Sequence, residues 1–80
     1  MKIYDFDGKK NICGSRIKEA RKALHLSQED LAAKLQVSGV VIERNSISRI
    51  ESGDRFIADY ELLVLSQILG VTPAFLLGIE

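Results

Sequence analysis

The sequence predicts an all-α bundle of five short helices. Three observations carry that expectation. Apolar residues recur at helical spacing, helix-starting and helix-stopping residues bracket those runs, and the connections span only a few residues. Eighty residues and 8.9 kDa permit one compact domain, since a chain this small buries only about 60–65% of its unfolded surface. One proline and no low-complexity run also favour a folded globule over a disordered tail.

The opening "MKIYDFDGKK" mixes charges with single apolar residues, and its "KIYDF" reads as a short extended arm. We assign residues 1–13 to an N-terminal arm and 14–78 to the helical domain. Helix 1 is expected over about 15–24, because Ile17, Ala20 and Leu24 recur at i, i+3 and i+7 after Gly14 and Ser15. His25 follows where a helix often ends in a left-handed residue, which His tolerates better than most. Ser27 is a good N-cap for helix 2, over Gln28 to Leu35, with Leu31, Ala32 and Leu35 on one face.

The next stretch is unusual. After Leu35 comes "QVSGVVI", broken at Ser38 and Gly39, and helical periodicity resumes only with Ile47 and Ile50. Helix 3 is therefore expected from about Arg44 to Ser52, stopped by Gly53, with Glu43 at the cap position. Helix 4 runs from about Asp59 to Leu69 and ends at Gly70, and Thr72 caps a short helix 5 that opens on Pro73 and continues through "PAFLL".

Composition excludes several function classes. Cys13 is the only cysteine, so no internal disulfide forms, and the reducing cytoplasm is the expected setting. No continuous apolar h-region marks a signal peptide. The stretch "LLVLSQILGVTPAFLL" is interrupted by Ser66, Gln67, Gly70, Thr72 and Pro73, which argues against a membrane span. One His, one Cys, no paired carboxylates and no Gly-rich phosphate loop leave nothing to assemble a nucleophile and base; no enzyme, cofactor or metal is expected. Net charge is zero, yet unevenly spread. All eleven Lys and Arg lie in residues 1–55 beside eight acids, whereas 56–80 holds three acids and no base.

At about 100° per residue, Ile47, Ile50 and Glu51 share one face of helix 3, and Asn45, Ser48, Arg49 and Ser52 lie opposite, with Arg44 in the first turn. Those side chains suit DNA: an Arg fork fits guanine O6 and N7, an Asn amide fits adenine, and Ser hydroxyls fit phosphates or base edges. Taken alone, the same residues also describe an ordinary solvated helix face. Arg21 lies within the helix 1 apolar stripe, and a charge there needs a partner. Glu51, on the inward side of helix 3, is the expected one.

The order of "RIKEARKALHLSQEDLAAKL", "ISRIESG" and "DYELLVLSQILGVTPAFLLG" resembles the lambda-repressor-like, Cro-type helix-turn-helix domains known as the XRE family, over about residues 14–78. The resemblance implies a five-helix lambda-repressor-like fold and binding of double-stranded DNA. It implies a phosphate contact for Gln28, base-edge or nearby phosphate contacts for Arg44, Asn45 and Arg49, and weaker backbone contacts for Ser46 and Ser52. It also agrees with the structural pair Arg21 and Glu51. The chain departs from the family in its turn, roughly five residues longer than usual between helices 2 and 3. We align Ile42 with the apolar residue that precedes helix 3. If Val37 and Ser38 form the true turn, helix 3 starts earlier and Arg44 and Asn45 lose their assignment. Glu43 and Asp54 place acids where DNA is expected.

The leading expectation is a transcriptional repressor acting as a homodimer through helices 4 and 5, with Val64 and Phe75 as interface candidates and Leu62, Leu65 and Leu69 in the core. The alternative is an antitoxin-like or adaptor module that uses the same fold to bind a protein partner, which zero net charge favours.

Overall fold

The computed structural model describes residues 6–79. Five helices follow in order: α1 (Gly14–Ala23), α2 (Gln28–Val37), α3 (Arg44–Ser52), α4 (Asp59–Leu69) and α5 (Pro73–Leu76). The all-α expectation is met. Of the expected arm in "KIYDF", residues 2–5 lie outside the described residues, and Phe6 forms an isolated antiparallel bridge with Lys9.

All five helices end in the same closure. In each, the backbone N–H just past the last turn donates to the carbonyl five residues back, as Leu26 to Arg21, Val40 to Leu35, Asp54 to Arg49, Val71 to Ser66 and Ile79 to Ala74. This Schellman arrangement needs a left-handed residue at its centre. Gly39, Gly53, Gly70 and Gly78 fill that place in four helices and His25, at φ 57°, fills it in α1. The starts are more varied. Ser27 and Asp30 form a reciprocal capping box on α2, Thr72 caps α5, and Glu61 accepts the Ala58 N–H at the start of α4.

The core is continuous across the elements. Ile17 from α1, Leu31 and Leu35 from α2, Ile47 and Ile50 from α3, Leu65 from α4 and Leu76 from α5 are its largest fully buried side chains. Burying each contributes about 1.5–3 kcal/mol. α3 packs against both α1 and α2, while α4 rests on α1, α2 and α5. The α1–α3 contact is tight enough to require glycine. A Cβ at Gly14 would overlap Ile50 O and lie 2.8 Å from Glu51 O, so the N-terminal turn of α1 sits directly on the backbone of α3.

The long turn resolves into two parts. Gln36 and Val37 extend α2 past the expected Leu35, and residues 38–43 form the connection. Within it burial alternates: Val40 and Ile42 are buried, and Val41 between them is exposed. Val40 follows the Schellman turn and joins Leu35 in the core, the apolar contact that often accompanies this closure. The added residues are thus pinned at two points, and α3 begins at Arg44.

Leu24 departs from expectation. It is 47% exposed, because α1 ends at Ala23 and Leu24, as the cap residue, leaves the helical register. Arg21 takes the inward position instead. In the C-terminal half, Leu65 and Leu69 are buried as expected, Leu62 is half-buried, and Val64 and Phe75 pack partly against the core. The most exposed apolar side chains of α4 are Tyr60 and Leu63. Arg16 lies over the Phe75 ring, 4.9 Å from its centroid.

Candidate nucleic-acid interface

α3 is oriented by what it buries. Ile47 and Ile50 are each 1% exposed, which turns Asn45, Ser48, Arg49 and Ser52 outward together, with Arg44 exposed at the first turn. Ser46 is half-buried and stands at the edge of that face. The helix carries one acid, Glu51, and its side chain points inward with 4% exposure. The outward face therefore presents two guanidinium groups, one amide and hydroxyls with no carboxylate of its own.

Glu51 accepts three hydrogen bonds from two side chains. Arg21 donates from Nε to Glu51 Oε2 at 2.7 Å and from Nη2 to Oε1 at 3.1 Å, and Gln28 Nε2 donates to the same Oε1 at 3.1 Å. Arg21 Nη1 also donates to Leu26 O at 2.8 Å, so the guanidinium ties the end of α1 to α3. The hydrogen bond to Glu51 raises the Arg21 pKa above its ordinary value, against the opposing effect of burial. Arg21 therefore stays charged at any working pH. The arrangement brings Gln28, from the start of α2, beside the first turn of α3: Arg21, Ser27, Gln28, Glu29 and Arg44 line one groove.

The two ends of α3 differ. Glu43 precedes it in extended conformation (φ −74°, ψ 160°) and makes no side-chain cap hydrogen bond, so its carboxylate acts on the helix start only through charge. At the other end, Ser52 Oγ donates to Arg49 O (3.1 Å) and to Asp54 Oδ2 (3.0 Å), and Arg49 Nη2 reaches Asp54 O at 3.4 Å. The groups the sequence singled out on α3 thus share one surface, except that Ser46 is partly withdrawn and Ser52 is engaged locally.

Sequence reasoning passed over Asn11. Its Oδ1 accepts the N–H groups of Cys13 (3.0 Å) and Gly14 (2.8 Å), which starts α1, and its Nδ2 donates to Ile50 O (3.1 Å) and Arg55 O (2.8 Å). An Asn three residues ahead of a helical run is a legible start signal; its grip on the end of α3 is not. Downstream, Arg55 and Glu61 pair at 3.1 Å and hold the turn after α3 against α4. Burial raises the Glu61 pKa, but the Arg55 guanidinium and the Ala58 N–H outweigh it and hold the carboxyl below its ordinary value. Cys13 is buried and its thiol pKa is pushed up by that burial. No group of three His, Cys, Asp or Glu placed to hold a metal occurs among the described residues.

Comparison with known proteins agrees with this geometry. A helix-turn-helix family model matches residues 17–76. The fold is similar to that of the P22 c2 repressor protein, solved with synthetic operator 9T in the presence of Tl+, with 30% identity and a TM-score of 0.72 over 88% of this chain and 98% of that one. It is also similar to the restriction-modification controller protein C.AhdI from Aeromonas hydrophila, with 34% identity and a TM-score of 0.67 over 80% of this chain and 86% of that one. No curated protein sequence matches significantly. The exposed basic face of α3, the α2 start set beside it and the match over residues 17–76 converge: the chain belongs to the helix-turn-helix family, of the XRE type, and is a DNA-binding transcription regulator, not an enzyme.

Proposed function

We propose that the protein is a sequence-specific repressor that binds double-stranded DNA as a homodimer and inserts α3 into the major groove. The acid-free outward face of α3 carries this reading. Arg44, Asn45 and Arg49 contact base edges or the phosphates beside them, each good bidentate pair contributing about 1–3 kcal/mol of discrimination. Gln28 contacts a phosphate with its amide, which the hydrogen bond to Glu51 holds in place at 3.1 Å. Ser46, Ser48 and Ser52 add hydroxyl contacts to the backbone or base edges. Glu43, exposed at the helix start, accepts from a cytosine amino group.

Residues 14–78 act as the reading unit. A single unit this small spans few base pairs, and a two-fold dimer reads half-sites about 34–36 Å apart. Helices α4 and α5 supply the dimer face, with Tyr60 and Leu63 at 60% and 50% exposure as its apolar centre. The similarity to a repressor solved with an operator supports the repressor role. We place the protein in the cytoplasm; among the described residues no helix is long and apolar enough to cross a membrane. The exposed Tyr60 and Leu63 also fit a second reading, an adaptor module that docks a different protein there.

Selection of bound duplexes from a random-sequence pool tests the proposal, with Arg49→Ala in parallel. The wild type is expected to recover an inverted repeat, and the variant to lose or relax one position of each half-site. A pool without any enriched motif for the wild type refutes sequence-specific reading and favours the adaptor module.

A further inference from the structure

The segment before α1 is strapped to the reading helix. Phe6 and Lys9 exchange both backbone hydrogen bonds, at 2.7 and 3.0 Å, around a turn in which Asp7 (φ 52°) and Gly8 (φ 79°) are left-handed. Lys10 N then donates to Gly53 O at 2.8 Å, and the Asn11 amide bonds Ile50 O and Arg55 O. Residues 6–11 therefore form a small hairpin lying across the C-terminal end of α3. The packing is close, because a Cβ at Gly53 would come within 2.9 Å of Lys9 Cδ.

This hairpin adds charge beside the end of α3, where Arg49 is the cation of the last turn. Lys9 and Lys10 are both exposed, with Lys10 Nζ 5.8 Å from the Phe56 ring centroid. In the turn itself Asp54 is negative and accepts from Ser52, and Arg55 is engaged by Glu61. Asp7 is the only acid in residues 6–10. The C-terminal end of a helix also favours cations. At nine residues, α3 is about 13–14 Å long, close to the roughly 12 Å width of the major groove. A recognition helix sets its N-terminal residues on base edges, which leaves its C-terminal end nearer the flanking phosphates.

We propose that the hairpin is a second DNA-contacting element, in which Lys9 and Lys10 bind backbone phosphates beside the C-terminal end of α3 and supply the positive charge that the following turn lacks. The proposal rests on the DNA-reading role of α3. Because phosphate contacts position a protein without specifying sequence, the two lysines set affinity and salt dependence, and α3 sets the motif.

The test is a set of anisotropy titrations across salt concentrations, using a short duplex with the selected motif and a scrambled duplex. Wild type is compared with a Lys9→Gln, Lys10→Gln double variant and a Lys9→Arg, Lys10→Arg double variant. Each lost phosphate contact lowers the slope of log affinity against log salt by about 0.9, so the Gln variant is expected to be shallower by about 1.8. Its affinity falls by a similar factor for both duplexes, its preference for the motif persists, and the Arg variant restores the wild-type slope. A Gln variant with the wild-type slope overturns the proposal while leaving α3 reading intact. So does a weakened Gln variant that Arg fails to restore, which assigns the loss to Lys9 packing on Gly53. If the wild type itself shows no salt-dependent binding to either duplex, the DNA reading fails and the hairpin proposal with it.

Discussion

Glu51 serves two purposes through one carboxylate. It neutralises Arg21, whose side chain is 9% exposed, and it fixes the Gln28 amide at the rim of the reading surface. A buried ion pair gives little net stability over apolar residues of the same size, but breaking one side of it is costly. Glu51→Ala leaves the Arg21 guanidinium with Leu26 O as its remaining hydrogen-bond partner, and is expected to destabilise the domain by about 3–5 kcal/mol. Urea unfolding should show a lower midpoint at unchanged slope. An Arg21→Met, Glu51→Leu double variant should recover much of the loss; a single variant within about 1 kcal/mol of wild type would show that the pair is solvated. The partnership was legible in sequence because a charge stood in an apolar stripe. That Gln28 joins it was not, since the start of α2 meets the end of α3 only through the turn of the chain.

At the scale of elements, α1 is seated on α3 backbone to backbone. The helix propensity of Ala exceeds that of Gly by about 1 kcal/mol, so local reasoning makes Gly14→Ala a stabilising change. The structure reverses the sign. The added methyl meets the backbone carbonyls of Ile50 and Glu51 at the C-terminal end of α3, the first of which is held by the Gly53 N–H and the Asn11 amide. We expect a net loss of about 1–3 kcal/mol, seen as a fall of roughly 4–8 °C in melting temperature per kcal/mol. An unchanged or raised melting temperature would mean that α1 can slide on α3 without cost. In the long turn, local signals marked the break but left two places for the start of α3, and packing chose between them. Ser38 and Gly39 mark the break, and two β-branched residues at alternate positions, Val40 and Ile42, anchor the insertion.

Across the whole molecule, the basic surplus of residues 1–55 coincides with α1 to α3 and the strapped hairpin, whereas α4 carries Asp59 and Glu61 and no base of its own, with Glu61 paired to Arg55 from the turn before it. A zero net charge thus conceals a polarised body. On the proposed reading, phosphate attraction acts on the first part of the chain, and α4 is left for self-association. Leu63→Glu adds a charge at a half-exposed position of α4 without opening the core. Sedimentation is expected to show a dimer for the wild type and a monomer for this variant, with little change in melting temperature. Identical sedimentation of the two would remove Leu63 from the dimer face.

The sequence by itself determined the five helices and their order, because caps, stops and helical periodicity are local properties of the chain, while the start of α3 at Arg44, left open by the overlong turn, was decided by the structure. It also showed Leu65 and Leu69 as core. The tertiary structure decided what depends on residues far apart in sequence: that Leu24 leaves the core while Arg21 enters it, that Gly14 must be glycine, that Tyr60 and Leu63 rather than Val64 and Phe75 are the exposed apolar groups, and that Lys9 and Lys10 come to lie beside the end of α3. Each follows from one helix closing the space around another. Periodicity says which side of a helix is apolar, but only the packed neighbours say how much of that side is covered.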